Sequence, residues 1–169
     1  LKYLINREQY ARVLENIQAA LQPDPHGGIS GAYQVTSLYY DTSAYQAFWD
    51  KVDGHKVRRK VRIRVYGDEP VEPETPAFLE IKQRFDKMTG KRRVRLPYAR
   101  ALDFDAFETR DSQLSDAAWQ VMSEVFYLHR TLDLRPSTVV TYDRLAFEGG
   151  ENYPDLRVTF DTRLRGRIQ

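Results

Sequence analysis

The stretch Val57-Arg58-Arg59-Lys60-Val61-Arg62-Ile63-Arg64-Val65-Tyr66 alternates with a period of two. Successive side chains of a β-strand point to opposite faces. Val57, Val61, Ile63 and Val65 therefore share one face with Arg59, while Arg58, Lys60, Arg62, Arg64 and Tyr66 share the other. Such a strand belongs in a sheet whose aliphatic side is covered by helices and whose other side is cationic.

The neighbouring segments repeat the division. Ala77–Arg84 separates Leu79 and Ile81 from Glu80, Lys82 and Arg84, and Lys91–Leu96 separates Val94 and Leu96 from Lys91, Arg93 and Arg95. Further on, Thr138–Phe147 sets Tyr142 and Arg144 against Val139, Leu145 and Phe147, with Asp143 interrupting the apolar side. Leu156–Arg165 sets Arg157, Thr159, Asp161, Arg163 and Arg165 against Leu156, Val158, Phe160 and Leu164. The acidic, proline-rich Gly67–Pro76 reads as an exposed connection and Asp86–Gly90 as a turn.

Helices are predicted between the strands. Asn6 with Gln9 forms a capping-box pattern ahead of Tyr10, Val13, Leu14, Ile17 and Leu21, and Pro23, Pro25, Gly27 and Gly28 end that helix. A strand over Ala32–Tyr40 leads to a short helix capped by Asp41 or Thr42, whose Tyr45, Phe48, Trp49 and Val52 share a face; Phe48 and Trp49 are expected in the core. Helical spacing recurs around Tyr98–Glu108 and Ser115–Leu132, and Pro136 closes that region. The result is an α+β chain with a largely antiparallel sheet and flanking helices. If that sheet closes into a β-barrel, its basic side lines the lumen.

Charge supports a local anion site. Over the 169 residues, 26 Lys and Arg face 24 Asp and Glu, a formal charge of +2. Between Lys51 and Arg100, however, fifteen Lys and Arg stand against seven Asp and Glu, a surplus of eight. The near-neutral total speaks against a general nucleic-acid binder, and only Tyr66 and Tyr142 place aromatics on the cationic side. No apolar run reaches the roughly 18 residues of a membrane span. Cysteine is absent, which excludes thiol chemistry and disulfides and fits a cytoplasmic location. His26, His55 and His129 have no metal-ligand spacing, and no Walker or dinucleotide glycine motif occurs. Alternation leaves two readings open, a polyphosphate-like anion site and a solvated basic surface.

Six blocks carry a resemblance: Val35-Thr-Ser-Leu-Tyr-Tyr-Asp-Thr42, Arg59-Lys-Val-Arg-Ile-Arg-Val-Tyr66, Phe78-Leu-Glu-Ile-Lys-Gln-Arg84, Lys91-Arg-Arg-Val94, Thr141-Tyr-Asp-Arg-Leu-Ala-Phe147 and Leu156-Arg-Val-Thr-Phe-Asp-Thr162. In this order they resemble the VTC domain, the polyphosphate polymerase domain of the triphosphate tunnel (CYTH-like) superfamily. The resemblance implies an antiparallel barrel, a basic tunnel for ATP, triphosphate or polyphosphate, and a divalent Mn²⁺ or Mg²⁺. It implies that Arg62, Arg64, Lys82 and Arg144 serve the chemistry, with Lys2, Lys91 or Arg93, and Tyr142 as further phosphate contacts. Lys60 and Arg157 join them from their faces.

Two parts of the family pattern are missing, a glutamate just before the position of Lys2 and a closing glutamate-and-lysine strand. The chain is therefore expected to be one domain over residues 1–169 that lacks its first residues and its C-terminal strands, with Glu80 as the remaining metal-ligand candidate and Asp161 as an arginine partner. The expected activity is transfer of the γ-phosphate of ATP to a growing polyphosphate chain. The alternatives are triphosphate hydrolysis and non-catalytic sensing of polyphosphate.

Overall fold

The computed structural model describes every residue from Leu1 to Gln169 and divides into two compact units. The larger comprises Val35–Thr141 with Arg165–Gln169, the smaller Leu1–Gln34 with Tyr142–Leu164. Three strands have residues in both: β2 (Ala32–Asp41), β6 (Arg135–Gly149) and β7 (Tyr153–Ile168).

In the larger unit β3 (Val57–Tyr66), β4 (Pro76–Phe85) and β5 (Met88–Pro97) form an antiparallel meander, with β2 antiparallel to β3. Val61, Ile63, Val65, Leu79, Ile81, Val94 and Leu96 are all buried on one side, as alternation predicts. Covering them are α3 (Tyr98–Leu102) and α4 (Asp116–Leu132), which pack on β4 and β5. Ser115 caps α4 by accepting from the Ala118 N–H at 3.2 Å, and the helix buries Val121, Met122, Val125 and Leu128. Phe107 and Val125 are wholly removed from water, each burial contributing about 2 kcal/mol.

Several boundaries differ from the expectations. The predicted Asp86–Gly90 turn narrows to Asp86 and Lys87, because Asp86 adopts a left-handed φ of 52° and Phe85 pairs with Met88. Thr89 and Gly90 thus remain in β5. Pro136 lies inside β6 instead of ending the region before it; near the start of a strand its missing N–H costs little. The helix α2 (Gln46–Val52) forms where expected, yet Phe48 and Trp49 are each 52% exposed, so the core assignment is corrected. Helical spacing gathers apolar side chains on one face but does not decide whether anything covers that face.

The smaller unit packs α1 (Arg7–Ala20) on β6 and β7 through Leu21, Phe147 and Phe160, joined by Tyr10, Leu14 and Ile17. Its capping box is complete: Asn6 Oδ1 accepts from Gln9 N–H at 2.8 Å, and Gln9 Oε1 accepts from Asn6 N–H at 2.9 Å. Tyr10 meets Phe160 edge-on at 4.9 Å. Where the sequence shows only a helix stop, β1 (Gln22–Pro23) pairs with β6 and a 3₁₀ turn spans Pro25–Ser30. Gly31 is required there: its φ is 68°, and a Cβ would stand 2.6 Å from the Ala146 carbonyl oxygen. In β7 the φ of Arg163 is +50°, a left-handed value inside a strand that continues to Ile168.

Candidate functional site

In the larger unit, strand register converts the cationic face into rows. One row places Lys60, Lys82 and Lys91 directly opposite one another on β3, β4 and β5. The next contains Tyr39, Arg62, Glu80 and Arg93, and the third Ser37, Arg64, Phe78 and Arg95. The structure thus brings together six expected residues, Lys60, Arg62, Arg64, Lys82, Lys91 and Arg93.

Glu80 is the only carboxylate in these rows and is 1% exposed. Arg62 donates to its Oε2 from Nε at 2.7 Å, with Nη2 at 2.5 Å, and Lys91 Nζ faces Oε1 at 3.2 Å. Burial pushes the Glu80 carboxyl up, but the charge and hydrogen bonds of Arg62, then Arg64 and Lys91, outweigh it and hold it below its ordinary value. Burial likewise pulls against the Arg62 guanidinium, and Tyr39 and Glu80 together keep it above its ordinary value. Arg62 Nη1 also donates to the Tyr39 hydroxyl at 2.9 Å.

Arg64 is 7% exposed and has no carboxylate in contact. Its Nε donates to Ser37 Oγ at 3.1 Å, and its guanidinium lies 5.9 Å from the Tyr66 ring centroid. Lys60 and Lys82 make no ion pair and no side-chain hydrogen bond. Burial, then the nearby Lys51 charge, lowers the Lys60 ammonium from its ordinary value despite Asp41. Arg93 rests 4.8 Å from the Phe78 centroid.

The opposite side of the same strands is arranged differently. Arg59 and Arg92, which point toward the helices, share Glu124 of α4, Arg59 at 3.4 Å and Arg92 by a direct hydrogen bond. Cations are compensated on the helix side and largely left uncompensated on the open side.

The remaining predicted residues lie in the smaller unit. Arg144 grips Asp161 with two hydrogen bonds, Nε to Oδ1 at 2.7 Å and Nη2 to Oδ2 at 2.8 Å, and lies 5.2 Å from the Tyr142 centroid. Hydrogen bonding to Asp161 raises the Arg144 guanidinium above its ordinary value against the pull of burial. Arg157 donates to buried Asp24 and, at 3.0 Å, to the Tyr33 hydroxyl. Both arginines thus already hold carboxylates. Lys2 occupies an exposed irregular segment ahead of α1.

Glu80 does not fit the expected metal-ligand role. Both its oxygens face cations, and no group of three or more His, Asp or Glu side chains is disposed to hold an ion. A carboxylate among Arg62, Arg64 and Lys91 sits in a positive field, and a divalent cation needs the reverse.

Sequence reasoning missed Ser37, Tyr39 and Phe78. The parity of Ser37 and Tyr39 within Val35–Thr42 was available, but their meeting with Arg64 and Arg62 depends on register, which that block does not encode. No curated protein matches the chain. A family model, the VTC domain, matches residues 1–169, the whole chain, and with this sheet and its basic face the chain belongs to the VTC domain family.

Proposed function

We propose that the open face of the β3–β5 sheet binds the phosphates of ATP, triphosphate or polyphosphate, and that the protein extends polyphosphate from ATP. The observation that carries this reading is the row Lys60–Lys82–Lys91. Like charges directly opposite across a ladder are destabilising, and a linear polyanion lying along the row reverses the sign of that term. Arg62 and Arg64, on the adjoining rows, add planar forks matched to phosphate oxygens.

Phosphoryl transfer needs aligned phosphates and neutralised charge more than covalent help from the protein. A terminal polyphosphate oxygen attacks the γ-phosphorus of ATP, the bond from that phosphorus to the β,γ-bridging oxygen breaks, and ADP leaves. Lys60, Lys82 and Lys91 hold the chain, while Arg62 and Arg64 fix the phosphate at which the bond is made. Arg144 and Tyr142, in the smaller unit, are carried in this proposal only as the phosphate contacts that the family resemblance implies; Arg144 itself already holds Asp161. Mn²⁺ or Mg²⁺ is expected to act in the reaction, but these side chains alone do not cage it. No helix is long and apolar enough to cross a membrane, and a cytoplasmic location is part of the proposal.

The test is to incubate the full-length protein with ATP and Mn²⁺ and resolve the products on a gel. Long-chain polyphosphate is the expected product. Free phosphate without polymer identifies a hydrolase, and binding without turnover identifies a sensor; either overturns the polymerase reading.

A further inference from the structure

Arg62 and Arg64, two residues apart on β3, are held in different ways. Arg62 is fixed by charge: Glu80 Oε2 meets both its Nε and its Nη2, so the group that orients the fork also neutralises it. Arg64 is fixed by a neutral group. Ser37 stands directly opposite it on β2, and Ser37 Oγ accepts from Arg64 Nε at 3.1 Å. Neither Nη group of Arg64 makes a hydrogen bond or an ion pair within the chain.

Burial gives that difference its weight. Arg64 is 7% exposed and Ser37 1%. Taking a guanidinium out of water carries a desolvation cost that a carboxylate partner ordinarily offsets. Ser37 supplies one hydrogen bond and no charge, and the Tyr66 ring, 5.9 Å away, adds only the attraction of its π face. Most of the cost is not met within the chain. An anion arriving at the open face meets it.

The strand explains how so small a side chain can aim so large a one. Alternation along β2 puts Ser37 and Tyr39 on the cationic side and Leu38 and Tyr40 against the core. The β2–β3 ladder fixes the serine backbone, and one torsion, χ1, separates that backbone from Oγ. The acceptor therefore has little freedom. Nε lies where the arginine stem joins the guanidinium, so tying Nε to a fixed acceptor sets the plane of the whole group. The two Nη groups are left as an end-on pair, the planar geometry that matches two oxygens of one phosphate.

We propose that Ser37 is a positioning residue, which fixes the plane of the Arg64 guanidinium without neutralising it and so presents its Nη pair to a phosphate group at full charge. The inference rests on the reading of this face as a phosphate site. A carboxylate at position 37 would hold the same nitrogen and cancel the charge; a hydroxyl holds it and leaves the charge for the ligand. Ser37 is itself too buried to touch that ligand and acts through Arg64 alone.

Titration calorimetry of the full-length protein with tripolyphosphate tests this, with Ser37→Ala and Ser37→Cys each made in the wild type and in Arg64→Lys. In the wild-type background both substitutions should weaken binding about fivefold, the worth of one orienting hydrogen bond. Cysteine nearly keeps the volume of serine but is a far weaker acceptor, so a loss seen with alanine and absent with cysteine identifies packing and overturns the role. Arg64→Lys keeps the charge and has no fork to orient, so in that background neither substitution should cost anything further. Unchanged affinity in the wild-type background, or an equal loss in both backgrounds, overturns the positioning role while leaving the phosphate site standing. A wild-type protein that does not bind tripolyphosphate overturns the phosphate reading itself, and this inference with it.

Discussion

Arg62 and Glu80 stand directly opposite each other on β3 and β4, and the guanidinium holds one oxygen of a carboxylate that is almost wholly buried. This pair sits between a row of lysines and a row containing Arg64. Glu80 supplies the fixed negative charge that lets Arg62, Arg64 and Lys91 crowd one face without a ligand. Replacing Glu80 by Ala breaks a buried ion pair and strands these cations, which should cost about 3 kcal/mol in chemical denaturation. Tripolyphosphate should raise the melting temperature of Glu80→Ala by more than that of the wild type, since it restores negative charge to the face. An equal rise would separate Glu80 from the anion site.

Lys82 makes no ion pair and faces Lys60 and Lys91 from between them. Lys82→Ala relieves repulsion in the empty protein and removes a contact in the occupied one. The variant should gain about 0.5 kcal/mol of stability without ligand and lose about tenfold in tripolyphosphate affinity. Melting curves and titration calorimetry on the same preparation check both signs together; a variant less stable than wild type contradicts the repulsive row.

Acid should weaken the fold through two buried carboxylates. Glu80 is held below its ordinary 4.5; burial alone would raise it, and Arg62 leads the groups that outweigh burial. Asp24 is held below its ordinary 3.8 against the same burial effect, through the His26 backbone N–H and then Arg157. A folded value below the unfolded one means that the stabilisation is complete above the ordinary value and is lost as pH falls through the folded value. Unfolding free energy should therefore hold steady down to about pH 4.5 and fall beneath it, less steeply in Glu80→Gln. Denaturant titrations from pH 6 to pH 2.5 give the profile.

Much of this was legible before the structure. The bounds of β3 coincide with the alternating stretch Val57–Tyr66, and the faces of β3, β4 and β5 are those that parity assigns. Alternation is a property of neighbouring residues, so a single sequence shows it. Pairing is not. The opposition of Lys60 to Lys82 and Lys91, and of Glu80 to Arg62, depends on a two-residue turn at Asp86 and Lys87, which the spacing Asp86–Gly90 concealed. Phe48 and Trp49 read as core because periodicity reveals a face and not its covering. In β7 the left-handed φ at Arg163 has no glycine to announce it.

The central claim is that the open face of β3–β5 holds a chain of phosphates, and tripolyphosphate titration of Arg62→Ala and Arg64→Ala in the full-length protein tests it most directly. Arg64→Ala is the cleaner of the two, because Arg64 leaves no carboxylate in contact behind, whereas Arg62 leaves Glu80. Circular dichroism should show both variants folded, and binding should be lost in both, a drop of about a hundredfold or more. Affinity unchanged from wild type in both folded variants would contradict the account.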